Sequence, residues 1–253
     1  MKANFLTDQG QVRKHNEDAG GIYYNSTGQV LAIIADGMGG HQAGDVASQM
    51  AVSIMQTAWE KTDEFTEPEQ AEEWMSETFK KMNLSIFNHA LEKEVYKGMG
   101  TTVVSAIGTD EFIIIGHIGD SRCYLRNEDG FKQITEDHSL VNELVRSGEI
   151  SHEDAEHHPR KNIVLKAMGT EENVSADIRC LSWERGNQVV LCSDGLSDKM
   201  TNKELGDYVQ AWENKTDIGQ ELIDLANERG GEDNISLAII SHQPSEEAGG
   251  QPC

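Results

Sequence analysis

Short apolar runs recur along the chain, and each is bounded by Gly, Asp or Asn. Runs that are rich in β-branched residues and bounded in this way predict β-strands. They are Val30–Ala35, Thr101–Ile107, Phe112–Ile118, Cys123–Arg126, Gln188–Cys192 and Ile235–Ile240. The short turns GTDE and RNEDG divide the stretch 101–133 into consecutive strands, which predicts an antiparallel meander.

Apolar residues at helical spacing predict helices between these strands. From Ala43 onwards they recur with a period of about 3.6 residues. Pro68 is placed to begin a second helix, and Leu205–Trp212 and Ile218–Asn227 are shorter candidates. Two groups of strands flanked by helices indicate a layered α+β domain.

The segment Ser139–Met168 interrupts the strand pattern. It is charged, contains Pro159 and has only short helical stretches, so we expect an insertion over a sheet edge that acts as a flap. The last residues, QPSEEAGGQPC, have the composition of a disordered tail. We therefore predict a single domain over residues 1–242, with the flap at about 139–168 and a disordered tail at 243–253.

The charge balance is strongly acidic. Lys and Arg number 21 against 44 Asp and Glu, and the formal net charge is −23. This balance argues against nucleic acid and against anionic membranes, because both are bound by basic side chains. The N-terminus has no apolar stretch of a signal peptide, and no apolar run approaches about 18 residues. The 4 cysteines form no C-x-x-C pair. We expect a cytoplasmic protein, and a monomer.

Carboxylates stand at the ends of several predicted strands. Asp36 follows AIIA, Asp194 follows VVLCS, Asp120 follows IGHIG, and Asp233 comes just before the run from Ile235. A single Asp-Gly pair is an ordinary turn signal. Strand ends of one sandwich cluster in space, however, so these acids are candidates to converge on one point.

Converging carboxylates repel one another and raise each other's pKa unless a cation lies between them. Hard divalent cations such as Mg²⁺ and Mn²⁺ prefer oxygen ligands. Gly37 could offer an unshielded backbone carbonyl, and Gly39 and Gly40 allow tight turns around an ion. Two such cations about 3.5–4 Å apart can share a water, lower its pKa and support in-line displacement at phosphorus. Arg13, five residues before Asp18, could hold phosphate oxygens.

Eight motifs occur in order from Thr7 to Ile240, nearly the whole chain: GQVRKHNEDA, ADGMGGH, GMGTT, GDSRCY, TEDHSLVNELVRSGEI, HHPRKNIVLKAMG, CSDGLSD and GEDNISLAI. Together they resemble the metal-dependent Ser/Thr protein phosphatases of the type-2C (PPM) class, most closely the compact bacterial members. The resemblance implies a four-layer α-β-β-α sandwich, in which helices flank two antiparallel β-sheets. It also implies hydrolysis of phosphoserine and phosphothreonine in proteins by a bridging water or hydroxide on a Mn²⁺ or Mg²⁺ centre, opposing a Hanks-type Ser/Thr kinase.

The resemblance also assigns metal ligands. Asp36 would bridge two metal ions, and the carbonyl of Gly37 would bind the second. Asp194 and Asp233 would complete the shell of the first ion. Asp120 would form a weaker third site together with Asp194.

The remaining roles concern the substrate and metal-bound waters. Arg13 would hold the substrate phosphate, Glu17 and Asp18 would bind metal-coordinated waters, and the flap would tune substrate choice. Met38 stands where many eukaryotic members carry a histidine that is proposed as the general acid. Methionine cannot donate a proton, so His41 and a metal-bound water are the alternatives.

Other function classes stay open at this stage. A non-catalytic phosphoprotein-binding regulator of the same fold is the main alternative, although such a protein would be expected to lose metal ligands. Another two-metal hydrolase, such as a nuclease, would need a basic surface that this chain lacks. The phosphatase interpretation accounts for the most residues.

Overall fold

The computed structural model describes residues 1–40, 43–212 and 218–242. His41 and the predicted tail at 243–253 lie outside the described residues. Here the strands are β1 (Lys2–Asp8), β2 (Asp18–Tyr24), β3 (Val30–Met38), β4 (Gly100–Thr101), β5 (Val103–Gly108), β6 (Phe112–Ile118), β7 (Arg122–Asn127), β8 (Gly130–Gln133), β9 (Asp177–Ser182), β10 (Gln188–Cys192) and β11 (Ile235–Ser241). The α-helices are α1 (Ala43–Trp59), α2 (Pro68–Glu92), α3 (Leu140–Arg146), α4 (His152–Glu156), α5 (Asp194–Ser197), α6 (Asn202–Ala211) and α7 (Ile218–Glu228).

The strands form two sheets. The first has the order β1-β11-β10-β7-β8, and the second has the order β2-β3-β5-β6-β9, with β4 paired to β3. Every strand pairing in the described part of the chain is antiparallel. The predicted sandwich of two antiparallel sheets is therefore confirmed.

Three apolar cores separate the four layers. One lies between the sheets, one lies under α1 and α2 on the second sheet, and one lies under α6 and α7 on the first. Strand β3 contributes side chains to two of these cores. Val30, Ala32 and Ile34 face the other sheet, whereas Leu31 and Ile33 face the helices. A strand buried on both faces needs apolar residues at every position, which explains its continuous apolar run.

The predicted meander at 101–133 is wrong. Strands β5 and β6 pair in the second sheet, whereas β7 and β8 pair in the first, so the chain crosses between the sheets at residues 119–121. Gly119 makes this crossing with a φ of +107°, a conformation that side-chain-bearing residues rarely adopt. The predicted strand Thr101–Ile107 is likewise interrupted, because Thr102 stands between β4 and β5. The crossing places Asp120 between the two sheets.

The segment 139–168, which the sequence predicts as a flap, is attached at its base by backbone pairing. Ser139 forms an isolated bridge with Val164, and Met168 pairs with Thr101 of β4. Between these points the chain forms only the short helices α3 and α4. None of the helices in the described ranges is long and apolar enough to cross a membrane.

Gly119 gives a test of the crossing between the sheets. A Cβ at this position would lie 2.6 Å from the Thr102 side chain, whereas a Cβ at Gly130, with a similar φ of +114°, would meet nothing within 4 Å. We expect Gly130→Ala to cost about 1–3 kcal/mol of unfolding free energy through backbone strain alone. Gly119→Ala should cost clearly more, because it adds a steric clash. Urea unfolding of both variants measures the difference, and equal losses would contradict this account of the crossing.

Candidate active site

Strand ends from both sheets bring the acidic residues to one end of the sandwich. Asp36 lies in β3 and is the cross-strand partner of Asp18 at the start of β2. Asp194 begins α5, with one residue between it and the end of β10, and Asp233 precedes the adjacent strand β11. Asp120 lies in the crossing between β6 and β7. The structure thus brings together residues that are far apart in the sequence.

The pKa values of these carboxyls are raised by burial and by their neighbours' charges. Burial raises the pKa of Asp36 well above its ordinary range, and repulsion from Asp18 and Asp194 raises it further. The pKa of Asp194 is raised in the same direction, first by burial and then by Asp120 and Asp233. Carboxyls that are withdrawn from water together must therefore hold protons or be neutralised by a cation.

The donor set fits a hard divalent cation. Asp18 Oδ1 and Asp194 Oδ1 are buried and have no hydrogen-bond partner in the part of the chain that the structure describes. Unpaired buried carboxylate oxygens are costly unless a metal or a donor satisfies them. Among the described residues, no three carboxyls of this cluster have oxygens that all lie within 4.8 Å of one another.

Asp18 is a buried carboxyl of the cluster that is held by a hydrogen bond. Only 8 % of the residue is exposed, and Ser193 Oγ donates a hydrogen bond to its Oδ2 at 2.8 Å. Burial raises the pKa of Asp18 to about 6, although hydrogen bonds from Ser236 and Ser193 oppose the rise. Burial also raises the pKa of Asp120 to about 6.

Arg13 lies at the edge of the acidic cluster. Its guanidinium donates to Asp233 Oδ2 at 2.6 Å, and about half of its side chain is exposed. Partial burial lowers the pKa of Arg13, but Asp233 and the carboxyls near it raise that pKa above its ordinary value. The arginine therefore carries its charge at the mouth of the cluster, where an incoming anion can reach it.

Asn234 positions the loop that carries Arg13, and sequence reasoning missed this residue. Its Nδ2 donates to the backbone oxygens of Gln9 and His15 at 2.8 and 3.0 Å, and its Oδ1 accepts from the Glu17 amide at 2.8 Å. The side chain therefore ties the N-terminal loop to the start of β11. The sequence feature that could have indicated this role is the position of Asn234 directly after Asp233 in the motif GEDN.

Thr102 links two of the acidic segments and was also missed. Its Oγ1 accepts from the Asp36 amide at 3.1 Å, and its own amide donates to the Asp36 oxygen at 2.9 Å. The same Oγ1 lies 2.7 Å from Ser121 Oγ. The motif GMGTT thus does more than start a strand, because it connects β3 to the Asp120 crossing.

Gly37 and Glu17 meet where α1 approaches β3. A Cβ on Gly37 would lie 2.1 Å from the Gly44 oxygen, so the first turn of α1 can contact the end of β3 only because Gly37 has no side chain. The Gly37 amide donates to the Glu17 oxygen at 3.1 Å. Burial raises the pKa of the Glu17 carboxyl, and Arg13 lowers it. The backbone of Glu17 is thus bonded to the residue that follows Asp36.

A groove of about 1000 Å³ lies between the flap and two of the acids. Asp120 and Asp194 line it on the side of the sheets, and Asn142, His152 and Lys161 line it from the flap. Lys161 Nζ donates across the groove to Asp198 Oδ2 at 2.5 Å. The flap therefore forms one wall of the approach to the acidic cluster.

Comparison with known proteins gives one consistent result. The family model described as Protein phosphatase 2C matches residues 9–229. The serine/threonine phosphatase stp of Listeria innocua is 43% identical over 240 residues, which is 95% of either chain. The structure of the serine/threonine phosphatase Stp1 from Staphylococcus aureus has a TM-score of 0.90 at 39% identity, covering 96% of this chain and 95% of that one.

A further structure, the catalytic domain of the serine threonine protein phosphatase PstP in complex with 2 manganese ions, has a TM-score of 0.84 at 28% identity over 96% of this chain and 98% of that one. The chain belongs to the protein phosphatase 2C family. The identification from the sequence motifs, of the family, the sandwich and the enzyme class, is confirmed.

The raised carboxyl pKa values predict how the metal-free protein responds to pH. An acid whose pKa is higher in the folded than in the unfolded state adds stability below the unfolded pKa, and this stability is lost as pH rises through the folded pKa. With Asp18 and Asp120 at a pKa of about 6, we expect stability to fall as pH rises through that value. The melting temperature should drop by roughly 3 °C or more between about pH 5 and pH 7.

Calorimetry with EDTA measures this drop. Asp18→Asn should make the drop smaller, because the neutral amide has no proton to lose and only the Asp120 contribution remains. Saturating Mn²⁺ should reverse the loss of stability at the higher pH. A melting temperature that stays level or rises across this range without metal would contradict the raised pKa values of these buried acids.

Proposed function

We propose that this protein hydrolyses phosphoserine and phosphothreonine in proteins, depends on Mn²⁺ or Mg²⁺, and opposes a Ser/Thr kinase. The observation that carries the proposal is a group of clustered acids that repel one another beside Arg13, namely Asp36, Asp120, Asp194 and Asp233. The named activity of relatives over nearly the full chain supports it.

We propose that Asp36 would hold both of two ions. The Gly37 carbonyl would hold the second ion, Asp194 and Asp233 would hold the first, and Asp120 with Asp194 would hold a weaker third. The unpaired, buried oxygen of Asp194 and the two manganese ions in PstP support this assignment. When bound, the ions supply a water of lowered pKa and neutralise charge on the phosphoryl group.

Arg13 is proposed to bind the phosphate of the substrate. Its guanidinium is paired with Asp233 through one nitrogen and is half-exposed, so it can turn to an arriving phosphate. A planar guanidinium can donate two parallel hydrogen bonds to phosphate oxygens. The chain carries a net charge of −23, so Arg13 supplies attraction that the protein as a whole does not.

Glu17 and Asp18 are proposed to orient the waters around the ions. Ser193 holds the Asp18 carboxyl, and Asn234 and Gly37 hold the backbone of Glu17. The Asp18 carboxyl and the backbone that carries the Glu17 carboxyl are therefore fixed in position. Met38 offers no proton to the leaving alcohol. His41, outside the described residues, and a water of the metal shell are the proposed donors.

The groove beside the flap is proposed to receive a phosphorylated segment of a protein. The groove between the flap and the acids is open and is lined mainly by polar and charged side chains. Such a groove can admit an extended peptide. A phosphoprotein-binding regulator would have no need to keep every proposed ligand, so the retained acids favour the enzyme.

Asp36→Asn tests the metal assignment. The amide keeps the size of the carboxyl but removes its charge. Loss of a residue that only supports a metal ligand costs about 10- to 100-fold in activity, so we expect the loss of a ligand to reduce phosphate release from a phosphothreonine peptide in Mn²⁺ about 100-fold or more. Asp129→Asn, on an exposed turn, is the matched control and should keep full activity. Near-normal activity of the folded Asp36→Asn variant would refute Asp36 as the bridging ligand.

Arg13→Ala tests the phosphate contact. We expect the KM for a small phosphoester to rise about tenfold, because one charge-assisted contact contributes roughly 1.5–3 kcal/mol. The Mn²⁺ concentration needed for half-maximal activity should change much less. Arg185→Ala, in the exposed turn before β10, is the control for charge. An unchanged KM in Arg13→Ala would count against the phosphate role.

A further inference from the structure

The imidazole of His138 lies where the flap begins and contacts the crossing that carries Asp120. Its backbone and side chain make a reciprocal pair of hydrogen bonds with Gly119. The Gly119 amide donates to His138 Nδ1 at 3.1 Å, and the His138 amide donates to the Gly119 oxygen at 2.8 Å. Residue 119 is thereby held at both of its backbone polar groups.

The same residue also holds the far end of the flap. The His138 oxygen accepts from the Leu165 amide at 2.7 Å, and the next residue, Ser139, pairs with Val164. Residue 138 is therefore bonded to the Asp120 crossing on one side and to the returning segment of the flap on the other.

The ring of His138 is fixed by its surroundings. It stacks on His117 with ring centroids 4.5 Å apart and planes within 16°. His117 is buried, and its Nε2 lies 3.0 Å from the Glu136 oxygen. His138 Nε2 faces Asp177 Oδ2 at 3.6 Å. Burial lowers the pKa of both imidazoles, that of His117 to about 4, so both rings are neutral at neutral pH.

From this geometry we infer that His138 is a positioning residue, which fixes the Asp120 crossing and fastens the base of the flap to it through its Nδ1. An imidazole nitrogen that accepts from an amide carries a lone pair, so the ring proton is on Nε2, towards Asp177. The consequence for catalysis rests on the proposed function, because Asp120 matters there as a metal ligand.

A metal site at this cluster is the rival explanation. Donor atoms of His117, His138 and Asp177 lie within 4.8 Å of one another. Binding through His138 Nε2, however, would move the ring proton to Nδ1 and set it against the Gly119 amide. Parallel stacked rings also direct their lone pairs along parallel lines rather than towards one ion. The hydrogen bond to Gly119 therefore favours positioning.

Two replacements of the ring separate the roles of its nitrogens. In His138→Asn the new amide oxygen can stand near the place of Nδ1, whereas in His138→Gln the longer side chain carries its amide to the place of Nε2. His89→Gln is the matched control, because His89 also stacks on an aromatic ring, that of Tyr96, but lies on α2. Hydrogen–deuterium exchange of the Gly119 amide is measured by NMR in the metal-free, full chain.

We expect Gly119 exchange to accelerate about tenfold in His138→Gln, which corresponds to the loss of one buried hydrogen bond. His138→Asn should stay near the wild type, and His89→Gln should be unchanged. In the phosphopeptide assay, His138→Gln should need several-fold more Mn²⁺ for half-maximal activity, and His138→Asn should restore the wild-type requirement.

Equal acceleration in His138→Asn and His138→Gln would overturn the proposal, as would no acceleration in either. Retention of Zn²⁺ by the wild type in dialysis, lost in both variants, would overturn it in favour of a metal site. If the wild type released no phosphate, the proposed function would fail, but the exchange result would still decide the role of His138.

Discussion

The burial of several carboxyls close to one another is the constraint around which this molecule is organised. Asp36, Asp120 and Asp194 are largely withdrawn from water and their pKa values are raised, so the fold must hold them against their own electrostatic energy. The sandwich supplies the necessary stiffness. Three apolar cores hold its four layers together, and the acids stand at the ends of strands that these cores immobilise. A flexible loop with the same acids would separate them.

Neutral polar residues connect the site to the rigid sheets through hydrogen bonds. Thr102 connects Asp36 to the Asp120 crossing, and Ser193 holds Asp18 from the other sheet. Asn234 ties the loop of Arg13 to β11. Each contact joins segments that are distant in the sequence. Asp36, Asp18 and the loop of Arg13 are thus held by residues that carry no charge and add no further repulsion.

The parts that sequence could predict are those with a strong local pattern. Strand β3, buried on both faces, is a continuous apolar run, and the amphipathic period of α1 is regular. The strands that were missed, β1, β2 and β9, are outer strands of the two sheets, where half-exposed positions weaken the apolar pattern. The acids were found because they stand beside apolar runs. Asn234, Thr102 and His138 were not, because their role depends on which distant backbone groups they meet.

The order of the segments along the chain has a consequence for synthesis. Strand β1 is synthesised long before β11 and pairs with it over its whole length. Until β11 has been synthesised, β1 therefore lacks its partner strand and the first sheet is incomplete. Asp233 and Asn234 also arrive only with this late segment. A nascent chain on the ribosome therefore holds Asp36 and Asp120 without the partners that complete their surroundings. Such long-range closure slows folding. A chain whose synthesis stops before β11 thus lacks the site, however much of the second sheet it has already formed.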